Sequence, residues 1–574
     1  MQKSHAMIKP SYSFLVIITL MIALRLSSQT SFIGLNSNAE QLIKHYETTT
    51  GLFSTDIHTS IRPYNRSQAA SWMQKNDSLL PIQPTDVFNR SYLLSDNIPW
   101  SEEKLYDSRR PVLKHFYRSK ANLFQVHEEG FDLVINPGVY LLMASSNLDN
   151  KPLSINSRAV ELRGSIGKKV GFYTFLSENQ IFPVAHEMAF RSTYGSYPGA
   201  HLTKGFKDRG VDFLQARGYI TFSPIKYISM QFGNDRNFIG HGIRSLLLSD
   251  FATDYPFLKI NTRVWKINYM NLFARLTDRY GYVTGTGSTR PYPAKYLAMH
   301  YLSMQLLPRL QIGLFESVTF HDNNGDGRGF DFHYLNPIIF YRSVEHQLGD
   351  PDKMMVGLDL AWLPAKNLKL SGQFMLNEFR FADLIARNGH AANKFGYQLN
   401  AYYTNLFNIP NLDIQLEYNR IRPYAYAHYA VGPNDLYPVN SYSHYNQPLA
   451  HPLGANLSEI LVHLTAQPYP RLTAGLMLTY ANYGADSAGS NWGRNIYLDY
   501  RTYENELGNT VGQGVGTQLL LLEALVGYQV RHNLFLELDI RYRSLQSDIS
   551  SRNSNNSFIG AALRYNLPRR QWTF

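Results

Sequence analysis

The sequence predicts an all-β transmembrane barrel of about eighteen antiparallel strands, with a small helical region before it and loops folded into its lumen. Three observations lead there. Aromatic residues make up 14% of the 574-residue chain while mean hydropathy is −0.28, which pairs many interface-seeking rings with a polar average. Several segments alternate apolar and polar residues over their whole length, the signature of a wall with lipid on one side and a polar lumen on the other. Beyond the first segment, no stretch approaches the ~20 apolar residues that a spanning helix needs.

Taken in order, residues 1–28 read as a signal peptide. Lys3 and Lys9 precede an apolar run from Phe14 to Leu24, and Ser27, Ser28 and Gln29 offer small and polar residues for cleavage. The expected address is the cell outer membrane. Formal charge is +11, and removal of Lys3, Lys9 and Arg25 with the leader lowers it by three, to +8. That sign suits acidic glycans or lipopolysaccharide phosphates. No basic recognition motif points to nucleic acid. With no Cys, neither a lipid-modified amino-terminal Cys nor a disulfide framework is available.

Residues 29–129 lack the two-residue period, so short helices are expected. Ser67 can cap a helix through Gln68, Ala69, Ala70 and Trp72, and Ser101 another with Glu102 and Glu103 in its first turn. Pro111 suits the first turn of a third, carrying Leu113, Phe116 and Tyr117.

The barrel is expected over residues 130–574. In 534–542, Leu534, Leu536, Leu538, Ile540 and Tyr542 share one face, with Phe535, Glu537, Asp539 and Arg541 on the other. Asp413, Gln415 and Glu417 mark an inward row in 412–418, and 354–362, 368–376, 472–480 and 559–567 alternate likewise. Short links at 167–169, 223–225, 265–268, 307–308, 363–366, 405–410, 467–470 and 531–532 alternate with long ones, as periplasmic turns alternate with extracellular loops.

The alternation breaks within residues 231–260. Asp235, Arg236, Gly240, Gly242, Ser245, Leu246, Leu248 and Ser249 there resemble the signature of the Wzi family of capsule-assembly outer-membrane proteins, which includes relatives linked to gliding motility. Segments 58–72 and 116–124 also look like that family. The resemblance implies an eighteen-stranded barrel, a helical part at its periplasmic end, and engagement of exopolysaccharide at the cell surface for capsule attachment or assembly.

Counting strands puts 234–255 and 321–353 at the extracellular end. Both carry large apolar residues that are costly to leave in water, so both are expected to fold inward and narrow the lumen. Within the first, Asp235 with Arg236 and Arg244 with Asp250 are candidate plug pairs, and Gly240 and Gly242 suit tight turns better than phosphate binding.

Loop 422–456 carries Tyr424, Tyr426, Tyr429, Tyr437, Tyr442 and Tyr445 with His428, His444 and His451. A glycan-stacking platform and an aromatic girdle with ordinary loop packing both account for the rings. The His spacing matches no familiar metal set. Asp322, Asn324, Asp326 and Gly327 open like a calcium loop, but His333 stands where the bidentate Glu belongs, which favours a plain turn-rich loop.

No cofactor, metal or catalytic arrangement is expected; Glu537 with Asp539, and Glu417 with Asp413, read as polar wall. Expected partners are outer-membrane lipid, lipopolysaccharide and a surface polysaccharide. Motility or secretion proteins are the partners under the alternative reading of a gliding or adhesin component, and an open diffusion porin is a further alternative.

Overall fold

The computed structural model describes residues 30–101, 107–108, 111–167, 169–280, 292–321, 331–338, 352–430 and 437–570. Eighteen antiparallel strands form a closed barrel, from Phe131–Ser146 to Ser554–Tyr565, and the last pairs with the first from Phe558 opposite Ser146 to Tyr565 opposite Val139. Closure leaves no free edge, so every wall strand has neighbours on both sides. Among the described residues no helix is long and apolar enough to cross a membrane.

The alternation read from the sequence has the expected phase. In Leu534–Ser547, Leu536, Leu538 and Ile540 are exposed on the outer face, while Phe535, Glu537, Asp539 and Arg541 are buried inside. Asp413, Gln415 and Glu417 likewise face inward, opposite an exposed Leu416. An apolar outer row costs nothing against lipid, and a charged inner row finds partners in the lumen.

One end of the barrel has short turns at 226–227, 265–266, 308–309, 366–367, 470–471 and 532–533. Trp265, Asn367 and Asn533 adopt positive φ there, the geometry that tight two-residue hairpins need. Long segments occupy the opposite end, with two exceptions: links 147–148 and 548–553 are short, so the expected strict alternation of link lengths holds only in part.

Three helices gather at the short-turn end. α1 (Asn38–Thr50) is capped by Ser37 and stopped by Gly51 at φ 70°. α2 (Arg66–Lys75) is capped by Asn65 rather than Ser67, because the Asn65 side chain already accepts the Gln68 N–H. α3 (Pro84–Asp96) begins on its Pro. Ile43, Tyr46, Trp72, Met73 and Leu93 form their common core. Backbone bonds from Phe53 to Pro308 (2.9 Å) and from Asn367 to Thr48 (2.9 Å) tie this unit to the barrel turns.

The helix expected from Pro111 does not form. Val112 and Phe116 make a bridge instead, with Leu113, Lys114 and Tyr117 at positive φ, and Phe124–Glu128 is a strand paired with Phe131–Ser146. Ser101 follows a short 3-10 turn, Ile98–Trp100, and Glu102 and Glu103 lie outside the described residues, as does the leader.

The two segments expected to fold inward part company. Residues 236–254 enter the lumen. The described part of the second, 331–338, lies on the outer wall: Tyr334 is fully buried against Phe273, Ala298, Val318 and Phe320, all on outward rows. The inward rows of the same strands are already filled, because Leu272, Leu297, Met299 and Phe315 pack with Leu246 and Leu247 of the plug. Outside, Asn271, His300 and Glu316 are polar groups at mid-wall, and cover relieves the cost of setting them against hydrocarbon. The Asn271 side chain donates to Pro337 O at 3.5 Å.

Candidate functional site

The plug is held through its backbone. Ile61–Arg62 pairs with Phe238–Ile239, and Gly240 N donates to Ser60 O at 2.8 Å, so the helical unit and the plug meet inside the barrel. Gln373 of the wall accepts from Leu246 N (2.8 Å) and donates to Ile239 O (3.0 Å); Glu417 accepts from Ile243 N (2.5 Å) and Arg244 N (3.0 Å). Ser245 Oγ accepts from Leu247 and Leu248 N–H groups, both at 3.1 Å. Inward polar wall residues thus replace the hydrogen bonds that an irregular buried chain would otherwise lack.

Gly240 has φ 121°, and a Cβ there would stand 2.2 Å from Gln373 Nε2. Gly242 makes no left-handed turn. A Cβ on it would meet Glu417 Oε2 at 2.6 Å, so close approach to the wall is what excludes a side chain.

The expected ion pairs are rearranged. Arg244 pairs with wall Glu459 at 3.0 Å rather than with Asp250, and His451 meets the same carboxylate at 2.8 Å. Asp250 accepts from Asn36 Nδ2 at 2.5 Å, while the Arg236 guanidinium donates to the Asp250 carbonyl oxygen at 3.0 Å. Asp235 accepts from Arg236 N–H at 2.9 Å and faces Arg217 at 3.6 Å. Two plug residues cannot supply both charges when the wall already presents carboxylates at that level. The paired wall acids are engaged too: Glu537 with Arg564, Asp539 with Arg541, and Asp413 with His45.

The six tyrosines do not form one exposed platform. Tyr424, Tyr426 and Tyr442 are each 1% exposed, and their hydroxyls donate to Asn491 O, Leu246 O and Leu247 O. The described parts of this loop, 422–430 and 437–456, lie across the barrel mouth, and these rings cap the plug from above. A loop that must seat on buried carbonyls spends its hydroxyls inward. Tyr429, Tyr437 and Tyr445 are half-buried, against His428, Tyr280 and His201 respectively. Burial pushes His428 and His444 down to about 3, so both imidazoles are neutral at ordinary pH. Among the described residues no three His, Asp or Glu side chains converge on one point, and Asp322, Asn324, Asp326 and Gly327 lie outside them.

Around Tyr429 the mouth carries a cluster that the sequence reading missed. Tyr429 meets Tyr500 edge-on at 5.7 Å with the Arg501 guanidinium 4.6 Å over its ring. Lys394 Nζ sits 2.9 Å from the Tyr500 ring centroid and 3.0 Å from Glu378. Arg380 and Asp383 pair at 3.1 Å beside His390 and Glu506, 3.3 Å apart. The signal was the Tyr497, Tyr500, Tyr503 spacing among acids in loop 486–514, weaker than six tyrosines in one loop.

Two cavities among the described residues flank the plug. The larger, about 320 Å³, lies between α1 and the wall at the short-turn end, lined by Lys44, His45, Lys369, His463 and Glu523. Burial, with Arg62 nearby, lowers Lys44 to about 7. The smaller, about 200 Å³, lies under the long-loop end. Residues after the last strand turn back into the lumen beside it: Arg569 reaches Asp539 (3.4 Å) and Arg570 reaches Glu187 (3.4 Å).

No protein-family model and no curated protein sequence matches the chain. Among solved structures, the fold is similar to Wzi, an outer membrane protein involved in group 1 capsule assembly in Escherichia coli and described as a carbohydrate-binding β-barrel. The TM-score is 0.55 at 12% identity, over 95% of this chain and 100% of that one. Pseudomonas aeruginosa OccD3 (OpdP) follows at TM-score 0.41 and 10% identity, over 76% of this chain and 92% of its own. Pseudomonas aeruginosa OprD scores 0.40 at 10% identity, over 76% and 96%.

Proposed function

We propose that this outer-membrane barrel is a member of the Wzi family that holds an exopolysaccharide at the cell surface, for capsule attachment or assembly. In this reading the short turns and helices face the periplasm and the long loops face outward. The observation that carries it is the filled lumen. Plug, wall and mouth loop share one continuous core that includes Leu246, Leu247, Met299, Phe315, Met375, Tyr426 and Tyr442. A pore built for diffusion has no use for such a core, whereas a rigid plug under a mouth of rings and charges gives a fixed surface to bind against.

The rings of Tyr429, Tyr500 and Tyr503 suit the apolar faces of sugars, and the exposed Arg380, Arg501 and Glu506 suit their hydroxyl and acidic groups, with buried Lys394 holding Tyr500 in place. The fold of the carbohydrate-binding barrel from Escherichia coli supports the same reading. A glycan array on the purified protein tests it: capsule-type acidic polysaccharides should bind, and Tyr429→Ala with Tyr500→Ala should reduce the signal. No glycan binding, together with loss of movement or adhesin display in cells lacking the protein, would replace it with the motility reading.

A further inference from the structure

We propose that the smaller lumenal cavity is a binding site for a single acidic sugar residue, a hexuronate whose carboxylate is read by Arg217 and Arg236. This rests on the reading that the long-loop end meets polysaccharide, and it names the sugar class.

The cavity of about 200 Å³ has room for one sugar residue rather than a chain. Its lining holds the guanidiniums of Arg217, Arg236, Arg244, Arg569 and Arg570 against only two carboxylates, Glu187 and Asp250. Those carboxylates are answered from within the fold: Glu187 by Arg570 and by the Tyr197 hydroxyl at 2.8 Å, Asp250 by Asn36. Arg244 is committed to Glu459 and Arg569 to Asp539.

Two cations have capacity left. Arg217 has a side chain 9% exposed, lies 4.3 Å over the Phe175 ring and reaches Asp235 only at 3.6 Å; its Nε meets no hydrogen-bond acceptor among the described residues. Arg236 spends one nitrogen on the Asp250 carbonyl oxygen, and its Nε is also buried without an acceptor. Both Nε atoms are occluded from the cavity, so the terminal nitrogens are what a ligand meets: those of Arg217 and the second one of Arg236 donate to no described residue, and a carboxylate in the cavity accepting from both residues would satisfy them.

The rest of the lining argues for a ring rather than a bare anion. Tyr140, Phe175, Phe213 and Phe251 supply aromatic surface, while Asn179 and Gln215, whose amide N–H groups already donate to Ser177 and Asp254, leave their carbonyl oxygens to accept from hydroxyl groups. A free phosphate or acetate has no need of four rings.

Titration calorimetry on the purified full-length protein in detergent tests this with glucuronate and galacturonate as probes. Either uronate should bind at least tenfold more tightly than glucose, acetate or inorganic phosphate. Arg217→Gln and Arg236→Gln should each weaken it by roughly ten- to a hundredfold, the loss expected for a charge-assisted bond. Ser157→Leu, which fills the cavity without removing a charge, should abolish binding and covers the case in which an Arg variant fails to assemble. Equal binding of phosphate or acetate, no uronate binding, or binding that survives all three changes would overturn the proposal. Tyr429→Ala should leave uronate affinity unchanged while lowering polymer retention on cells, so the cavity and the surface role fail separately.

Discussion

Arg244 fixes where the plug stops. Its guanidinium and Glu459 are almost wholly buried, so removal of one partner leaves a charge in a place that water does not reach. Arg244→Leu should destabilise the barrel by about 3 kcal/mol or more, and adding Glu459→Gln should recover part of the loss by removing the stranded charge. Thermal shift of the unheated gel mobility reads both; additive losses in the double variant would mean that the pair does not couple. On the outer face the sign reverses. Leu538 points at lipid depth, so Leu538→Arg should cost about 2–4 kcal/mol, whereas Thr465→Lys, beside the larger cavity, should assemble normally. Equal damage from the two would contradict the inside and outside assignment.

The plug and its lid form one element in energetic terms, because loop 422–456 seats on the Leu246 and Leu247 carbonyl oxygens through Tyr426 and Tyr442. Purified protein in planar bilayers should be nearly silent, and deletion of residues 236–254 should open it. Acid should act in the same direction. His428 and His444 are held neutral by burial down to about 3, while an unfolded loop protonates near 6.5. Below about pH 6.5 the released loop therefore binds protons that the seated loop refuses, and stability present above that value is lost as pH falls towards 3. The seated-to-released ratio should drop up to tenfold per pH unit for each histidine. Protease cleavage within the loop, followed from pH 7 to 4, should rise steeply and flatten in the His428→Asn, His444→Asn double variant; a flat profile in the unaltered protein would sink the idea. How far such elements were legible differs by kind. The 534–542 strand could be phased from sequence, because alternation states directly which residues share a face. The plug could be placed, because polar turn residues interrupt an alternating wall. What alternation does not state is which side of the wall a loop takes: Tyr334 packs outside because the inward rows beside it were occupied by residues far away in sequence. Tyr424, Tyr426 and Tyr442 were readable as rings but not as capping groups, since their acceptors are carbonyl oxygens of other loops.

At the scale of the whole molecule, the barrel presents a fixed mouth of modest size with a basic chain behind it, of net charge +11 over the full sequence and +8 (11 − 3) without residues 1–28. Each contact between a half-buried ring and a sugar is weak, and an exposed cation on a polymer carboxylate adds little once salt screens it. Firm retention of a long glycan must therefore come from many repeats engaging many copies, with the effective concentration of the next repeat set by the polymer already bound. Two consequences separate this from tight binding at one site. Halving the number of copies per cell should lower retained polymer by much more than half, and washing with about 1 M salt, where screening acts over ~3 Å, should release polymer that ordinary buffer leaves in place. Polymer released into the medium, measured against immunoblotted protein level, reads both. Retention that falls in simple proportion to copy number and ignores salt would place the affinity in a single deep site, and the multivalent surface reading would have to be abandoned.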